Sequence, residues 1–390
     1  MENSTKIFNI ARALVVGIAL SGCLFTGARA DTLKIGIIAP LTGAGAPWGI
    51  ATAEAVKIVA SEVNASGGLD VGGKKYQVES VPYDDQYKAA DAVAAYNRLV
   101  NQDDVKYVIV FGSSSAIAIK QNIEDDKIVS LTMAASPQIF DEDTKYMFRA
   151  TSVPVVFMPS LIKWMGENMK EKRLVILNPN DESGWGQAKY SETLFKQNGF
   201  DVVGNELFER TQQDFQPILT KIISQRPDLI DLGTTSPATS GLIVRQARDL
   251  GYKGQFAKTS GPGWKEIVAS AGKEAIEGLL CMLFADPANE DYKRISSAYE
   301  KSIGQEPNEV LVSIYDSTNV LLRAVQYAGD VTDTAKVAAS IAKVLPMTSL
   351  QGEEIVLGTK DVPGGSQQIH TYIYIGEIHD GVPVVVGKVR

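Results

Sequence analysis

Cysteine and histidine are nearly absent from this chain of 390 residues, which has two of each. Cys23 lies in an N-terminal apolar run and Cys281 in a second one, so we predict no disulfide and interpret Cys281 as a small buried hydrophobe. His370 and His379 stand nine residues apart near the C-terminus. Two histidines and one cysteine do not form a metal-ligand set, so we predict neither a metal site nor a cofactor.

Clusters of lysine and arginine are also lacking, and the net charge is −8. Because binding to nucleic acid requires clustered positive charge, the sequence argues against a nucleic-acid partner. The remaining composition, 45% hydrophobic and 22% charged, is ordinary for a globular protein. A chain of this length exceeds the size at which one core keeps growing, so we expect two domains.

No apolar run reaches the roughly 20 residues of a membrane-spanning helix. Basic residues precede the apolar run 13–25, and Ala28-Arg29-Ala30 offers a cleavage site, so residues 1–30 are interpreted as a signal peptide. A rival interpretation is a lipobox, Leu20-Ser21-Gly22-Cys23, which would leave a lipid anchor on Cys23. Both interpretations predict export, to the periplasm in the first case.

Short β-branched runs alternate with amphipathic stretches along the rest of the chain. Strands are predicted at 33–38, 76–81, 105–111, 128–133, 174–177, 202–208, 229–232, 255–258 and 279–284, and helices at 48–65, 89–100, 116–125, 185–197, 215–224, 238–250, 265–271, 292–302, 310–328 and 335–343. The tail 355–389 is strand-rich, with turns at Pro363-Gly364-Gly365 and His379-Asp380-Gly381. This pattern predicts an α/β protein with two parallel sheets, each covered by helices on both faces.

Several short motifs occur in an order and spacing that are hard to produce by chance. They are Pro40-Leu41-Thr42-Gly43, 63–69, Tyr83-Asp84-Asp85, 112–115, 133–137, Ser183-Gly184-Trp185-Gly186 and 245–251. In these motifs the chain resembles the type I periplasmic binding proteins, specifically the leucine/isoleucine/valine-type receptors of ABC importers, over nearly all of its mature length.

The resemblance implies a fold of two doubly wound parallel-sheet lobes joined by three hinge crossings. One lobe would hold residues 31–151 and 286–354, and the other 152–285 and 355–390. A small ligand would bind in the cleft between the lobes and stabilise a closed form. The expected protein is then a monomeric, non-enzymatic receptor whose partner is a membrane ABC permease, although a sensory role stays open.

Serines and small residues follow two neighbouring predicted strands. Ser113, Ser114 and Ser115 open a helix, where backbone N–H groups and hydroxyls favour an anion, and Ala134, Ala135 and Ser136 follow the next strand. The resemblance implies that Ser114, Ala134 and Ser136 hold a carboxylate. The alternative is that these serines only cap helices.

Two tryptophans match positions that are aromatic in the family, one from each lobe. Trp48 and Trp185 both stand beside glycines in predicted turns. We expect them to stack on the ligand from opposite sides, and the alternative is that each is a partly buried loop residue.

The second lobe departs from the pattern of amino-acid receptors. Gly261 stands where those receptors carry an acid for the ligand's ammonium, the stretch 153–157 is apolar, and Thr235 and Ser236 lie where a tyrosine is expected. Burying an ammonium without a counter-charge costs several kcal/mol. The predicted ligand is therefore a small carboxylate without an α-amino group, aromatic or branched, facing an apolar second lobe. A branched-chain amino-acid receptor is the alternative.

A serine hydrolase is the alternative from another class. The segment 112–116 between a strand and a helix is similar to a nucleophile elbow with Ser114 as the nucleophile. Such an enzyme needs a base, and only His370 and His379 are available, in a tail that the resemblance assigns to the other lobe.

Overall fold

The computed structural model describes residues 31–358 and 365–390. The predicted signal peptide, its lipobox alternative with Cys23, and part of the turn at Pro363-Gly364-Gly365 lie outside these residues. Within the described ranges, no helix has both the length and the apolar content that a bilayer crossing requires.

Sixteen strands and eleven helices account for most of the described chain. The strands are β1 (Asp31–Ala39), β2 (Leu69–Val71), β3 (Lys74–Asp84), β4 (Tyr107–Val110), β5 (Val129–Thr132), β6 (Met147–Arg149), β7 (Arg173–Pro179), β8 (Asp201–Phe208), β9 (Leu229–Asp231), β10 (Gln255–Lys258), β11 (Leu280–Leu283), β12 (Met347–Thr348), β13 (Glu354–Leu357), β14 (Ile369–His370), β15 (Ile373–His379) and β16 (Val382–Val389). The helices are α1 (Ala46–Ala65), α2 (Ala89–Asn101), α3 (Ser113–Asp126), α4 (Pro154–Asn168), α5 (Glu182–Gln197), α6 (Gln216–Ser224), α7 (Pro237–Asp249), α8 (Trp264–Ala271), α9 (Glu290–Ile303), α10 (Val310–Ala328) and α11 (Thr334–Val344).

Two sheets confirm the predicted α/β fold with two lobes. The first sheet has the order β2-β3-β1-β4-β5-β6 and is parallel except for β2. The second has the order β16-β15-β11-β10-β9-β7-β8 and is parallel except for β15 and β16. Their central strands, such as β4, β5 and β9, are buried along their whole length, as expected for sheets covered on both faces. We call the first sheet with α1–α3 and α9–α11 the first lobe, and the second sheet with α4–α8 the second lobe.

The chain passes between the two sheets three times, after β6, after β11 and before β15. Hydrogen bonds join the three crossings. Ser152 Oγ donates to Thr371 O at 2.7 Å, and Gln351 Nε2 donates to Phe284 O at 2.9 Å. The crossings therefore lie side by side, while the residues at which the lobes divide stay a prediction.

The sequence did not predict helix α4. Pro154, Pro159 and two valines are weak helix signals, so the stretch was interpreted only as apolar. Pro154 occupies the first turn, where a missing N–H costs nothing, and Phe157, Met158 and Leu161 are buried on one face. Packing of that face outweighs the weak local preference for a helix.

Candidate functional site

A cavity lined by residues of both sheets' loops lies between the lobes, at the carboxyl ends of the parallel strands. This edge is where open α/β sheets bind ligands. Its aromatic lining consists of Trp48, Tyr87, Phe111, Phe157 and Phe284. Its polar lining consists of Ser113, Ser152, Ser183, Arg210, Thr234 and Ser260.

Three aromatic rings of the first lobe form one continuous wall. Trp48 and Phe111 have ring centroids 5.6 Å apart, and Tyr87 meets Phe111 edge to face at 6.3 Å. Trp48 is buried, and its Nε1 donates to Pro262 O of the second lobe at 2.7 Å. This wall offers an apolar aromatic surface against which a ring or branched chain can pack.

Glycines fix the helices that carry the two tryptophans. A Cβ on Gly49 would lie 2.0 Å from Pro40 O, and one on Gly184 would lie 1.7 Å from Pro179 O. Each helix therefore starts in close contact with the strand before it, in the first lobe and in the second alike. At the first site this contact directs Trp48 into the cavity wall.

The structure does not bring Trp185 to the cavity. Ser183 lines the cavity, and helix residues two apart point about 200° away from each other. Trp185 is accordingly 51% exposed, and its Nε1 donates to Asn180 Oδ1 at 2.7 Å. The expected pair of facing tryptophans is replaced by one tryptophan, Trp48, and the two rings beside it.

The three serines at the start of α3 have three different surroundings. Ser113 lines the cavity, and its Oγ accepts from Ser136 N at 3.0 Å. Ser114 Oγ donates across the lobes to Glu182 Oε2 at 2.6 Å, and Ser115 Oγ donates to the buried Asp85. Helical phase explains this difference, and it turns the side chain of Ser113, not that of Ser114, toward the cavity.

The next loop is held from behind by an arginine that the sequence analysis missed. Ala135 lines the cavity, whereas the carbonyls of Ala134 and Ser136 accept from Arg149 at 3.1 and 2.6 Å. Arg149 is buried with no acidic hydrogen-bond partner among the described residues, and burial lowers its pKa to about 10. The two hydrogen bonds from the Arg149 guanidinium to backbone carbonyls keep this loop rigid.

Gly261 closes the far side of the cavity without a side chain. Its φ is +75°, and a Cβ there would lie 3.1 Å from Trp48 Cζ2 and 3.2 Å from Lys258 Nζ. Neighbouring Thr234 and Ser260 also line the cavity, but Thr235 and Ser236 lie behind it. Ser236 Oγ donates to Thr239 Oγ1 at 2.8 Å at the start of α7. A side chain at position 261 would therefore strain the backbone and crowd Trp48.

Two buried ionisable side chains, Lys258 and Asp231, support these second-lobe loops. Lys258 Nζ donates to Gly233 O at 2.6 Å and to Ser260 O, and Asp231 accepts from Thr259 Oγ1 at 2.8 Å. Burial lowers the pKa of Lys258 to about 7 and raises the pKa of Asp231. These groups fix the loop backbones beneath the cavity surface.

Arg210 is the one charged residue among the described residues that line the cavity. It follows β8, and its Nε and Nη2 both approach Asp181 Oδ2 at 2.6 Å. Its guanidinium carbon lies 4.5 Å from the ring centroid of Tyr87 in the first lobe. Sequence reasoning missed it, although its position after the carboxyl end of a strand was a usable signal.

A second set of interlobe bonds surrounds Glu309 at the start of α10. Trp264 Nε1 donates to Glu309 Oε1 at 3.1 Å, and Asn308 Nδ2 donates to Glu266 Oε1 at 2.9 Å and to Pro262 O at 3.2 Å. Burial raises the pKa of Glu309 to about 8 and also raises the pKa of Glu266. We call these four side chains (Trp264, Glu266, Asn308 and Glu309) the seam.

The histidines lie away from the predicted nucleophile. Ser114 is bonded to Glu182, and neither histidine lines the cavity. His379 Nδ1 is 3.0 Å from Glu277 Oε1 on the surface, and His370 lies in β14. The arrangement that a serine hydrolase requires is therefore not assembled around Ser114.

Comparison with known proteins matches the chain and its fold to one family. A family model described as periplasmic binding protein matches residues 32–381. The leucine-, isoleucine-, valine-, threonine- and alanine-binding protein of Pseudomonas aeruginosa is 29% identical over 335 residues, which cover 84% of this chain and 87% of that protein.

Two crystal structures show the same fold at lower identity. A leucine-binding protein from Thermotoga maritima has a TM-score of 0.79 and 24% identity, over 92% of this chain and 99% of that one. An ABC-transporter solute-binding protein from Rhodopseudomonas palustris, in complex with benzoate, has a TM-score of 0.77 and 19% identity, over 92% and 96% of the two chains.

Proposed function

Because the chain belongs to the periplasmic binding protein family, we propose that it is the receptor of an ABC importer for a small organic acid without an α-amino group. One observation carries the proposal: no aspartate or glutamate is among the described residues that line the cavity. An ammonium group enclosed there would lack a counter-charge, which costs several kcal/mol.

The apolar lining supports an aromatic or branched body for the ligand. Trp48, Tyr87 and Phe111 form one wall, and Phe157 and Phe284 are the other aromatic lining residues. The neighbour that binds benzoate supports the aromatic choice, whereas the relative named for leucine, isoleucine and valine supports the branched one.

Enclosure between two lobes supports a cycle of closing and release. The ligand meets the first-lobe wall, and contacts made only in the closed form shift the equilibrium toward closure. The N-terminal segment supports export, with a cleaved signal as the proposal and the Cys23 lipid anchor as its alternative.

Matched ligand pairs test the proposal. Isothermal titration of the purified protein compares benzoate, phenylpyruvate and 4-methyl-2-oxopentanoate with phenylalanine and leucine. We expect at least one acid to bind, and each 2-oxo acid to bind at least about 10-fold more tightly than the amino acid with the same side chain. Leucine or phenylalanine binding as tightly as its 2-oxo analogue would show that the protein is an amino-acid receptor.

A further inference from the structure

We propose that Arg210 of the second lobe receives the ligand's carboxylate, together with the first turn of α3 in the first lobe. This inference rests on the proposed function, since it identifies the residue that binds the negatively charged group of the ligand. The sequence predicts an anion anchor in the first lobe alone and an apolar second lobe.

The free nitrogen of Arg210 is the observation that suggests this role. Two of its nitrogens are bound by Asp181, whose Oδ1 also accepts from Gly184 N at 3.0 Å to cap α5. Nη1 remains, fully buried and with no hydrogen-bond partner among the described residues. Buried donors are normally paired, so a donor left over in a cavity wall indicates an acceptor that arrives with the ligand.

The rest of the guanidinium is held rigid, which favours this role. Asp181 fixes the plane from one side, and the Tyr87 ring lies 4.5 Å from the guanidinium carbon on another. An arginine fork that is already oriented loses little conformational freedom when it binds a carboxylate. Arg210 is therefore preorganised for an anion.

Tyr87 also connects Arg210 to the first turn of α3. Cε1 of Tyr87 lies 3.1 Å from the position of a Cβ on Gly112, the residue that precedes α3. The Ser114–Glu182 bond brings the first turns of α3 and α5 together at the same place. One carboxylate can thus meet Arg210 Nη1 on one side and Ser113 on the other.

Neighbouring acids do not compete for the free nitrogen. Asp181 already accepts from the other two guanidinium nitrogens, and Glu182 accepts from Ser114. Both stand at the N-terminus of α5, where the helix dipole stabilises negative charge. The second lobe therefore leaves Arg210 Nη1 able to donate to an acid, and it can do so only when the lobes are closed.

A cycle of ligand and protein variants tests the inference. The wild type, Arg210→Gln and Arg210→Lys are titrated with the tightest binder among benzoate, phenylpyruvate and 4-methyl-2-oxopentanoate, and with the primary amide of that acid. Arg245→Gln serves as the matched control, because Arg245 donates to Ser270 O on the outer part of the lobe and does not line the cavity.

We expect Arg210→Gln to weaken binding of the acid by about 10- to 100-fold and binding of the amide by less than about 3-fold. The affinity of Arg210→Lys for the acid should lie between those of the wild type and Arg210→Gln, and Arg245→Gln should bind the acid like the wild type. Equal loss for acid and amide would assign Arg210 a structural role and overturn the inference, as would an unchanged Arg210→Gln. A wild type that binds none of the three acids would refute the proposed function instead, and the inference with it.

Discussion

The two walls of the cavity differ in almost every physical respect. The first-lobe wall is a continuous surface of three rings, Trp48, Tyr87 and Phe111, that ends at Ser113. The second-lobe wall is assembled from separate segments that bring Ser183, Arg210 and Ser260 beside Phe157. The first suits the shape of an apolar body, whereas the second supplies charge.

This difference teaches that affinity and selectivity have separate origins in the cavity. Burial of apolar surface against the rings is non-directional, so it favours any flat or branched body of the right size. The choice between acid, amide and amino acid depends on one arginine and on the missing acid near Gly261. Substitutions in the first-lobe wall should accordingly weaken binding of every ligand, whereas substitutions in the second-lobe wall should mainly change the selectivity between ligands.

Loss of the largest ring should have the largest effect. Trp48→Ala removes the centre of the aromatic wall and the bond to Pro262 O, so we expect binding to weaken by at least about 100-fold for every ligand. Trp185→Ala is the matched control, because that side chain is exposed and bonded to Asn180. Titration calorimetry measures both, and a loss of similar size at Trp185 would contradict the assignment of the walls.

Substitution of the adjacent serines Ser113 and Ser114 should distinguish loss of a contact with the ligand from loss of a contact between the lobes. Ser113→Ala should weaken acid binding by about 5- to 10-fold, because it removes a hydroxyl from the cavity wall. Ser114→Ala should cost about 2- to 5-fold and act mainly on the dissociation rate, because Ser114 bonds Glu182 across the lobes. Stopped-flow fluorescence resolves the two rates, and the reverse order of effects would restore Ser114 as the contact with the ligand.

The seam should affect how the stability of the folded protein depends on pH, and it should hardly affect the affinity for the ligand. The folded-state pKa of Glu309 is raised to about 8, so the folded protein holds more protons than the unfolded chain between about pH 4.5 and 8, and stability falls as pH rises through that window. Glu309→Gln should make the fall in Tm between pH 5 and 8.5 smaller by about 2 °C or more, with less than about 2-fold change in Kd.

Other buried acids limit the change in pH dependence that Glu309→Gln can cause. Burial raises the pKa of Asp316 to about 7 and raises that of Glu266, and both act in the same direction, while Lys265 lowers the pKa of Glu309. Part of the pH dependence should therefore persist in Glu309→Gln. Melting curves of the variant that match the wild type across the whole pH range would show that Glu309 titrates normally.

The sequence predicted the fold well because buried parallel strands and amphipathic helices leave a local pattern. It also predicted a site in the first-lobe loops, and Ser113 and Ala135 of the predicted residues line the cavity. It did not separate Ser113 from its neighbour Ser114, because strand and helix assignments do not fix the phase of a helix at its first turn. Trp185 was misplaced for the same reason.

Second-lobe and seam residues were harder to predict, because they become neighbours only when distant segments meet. Arg210 stands after a strand that is partly exposed, so its position beyond the carboxyl end of that strand was the one local signal of its role. Asn308 and Glu309 bond Glu266 and Trp264 only through contact between the lobes. Such pairs depend on tertiary geometry that neither propensity nor spacing encodes.

The three crossings, tied together at Ser152–Thr371 and Gln351–Phe284, impose a further consequence. We expect these three connections to act as one hinge, so that the lobes open and close about an axis through the crossings. The rims farthest from that axis travel most. A permease that touches only those outer rims can therefore detect whether the cavity is filled without any contact with the solute.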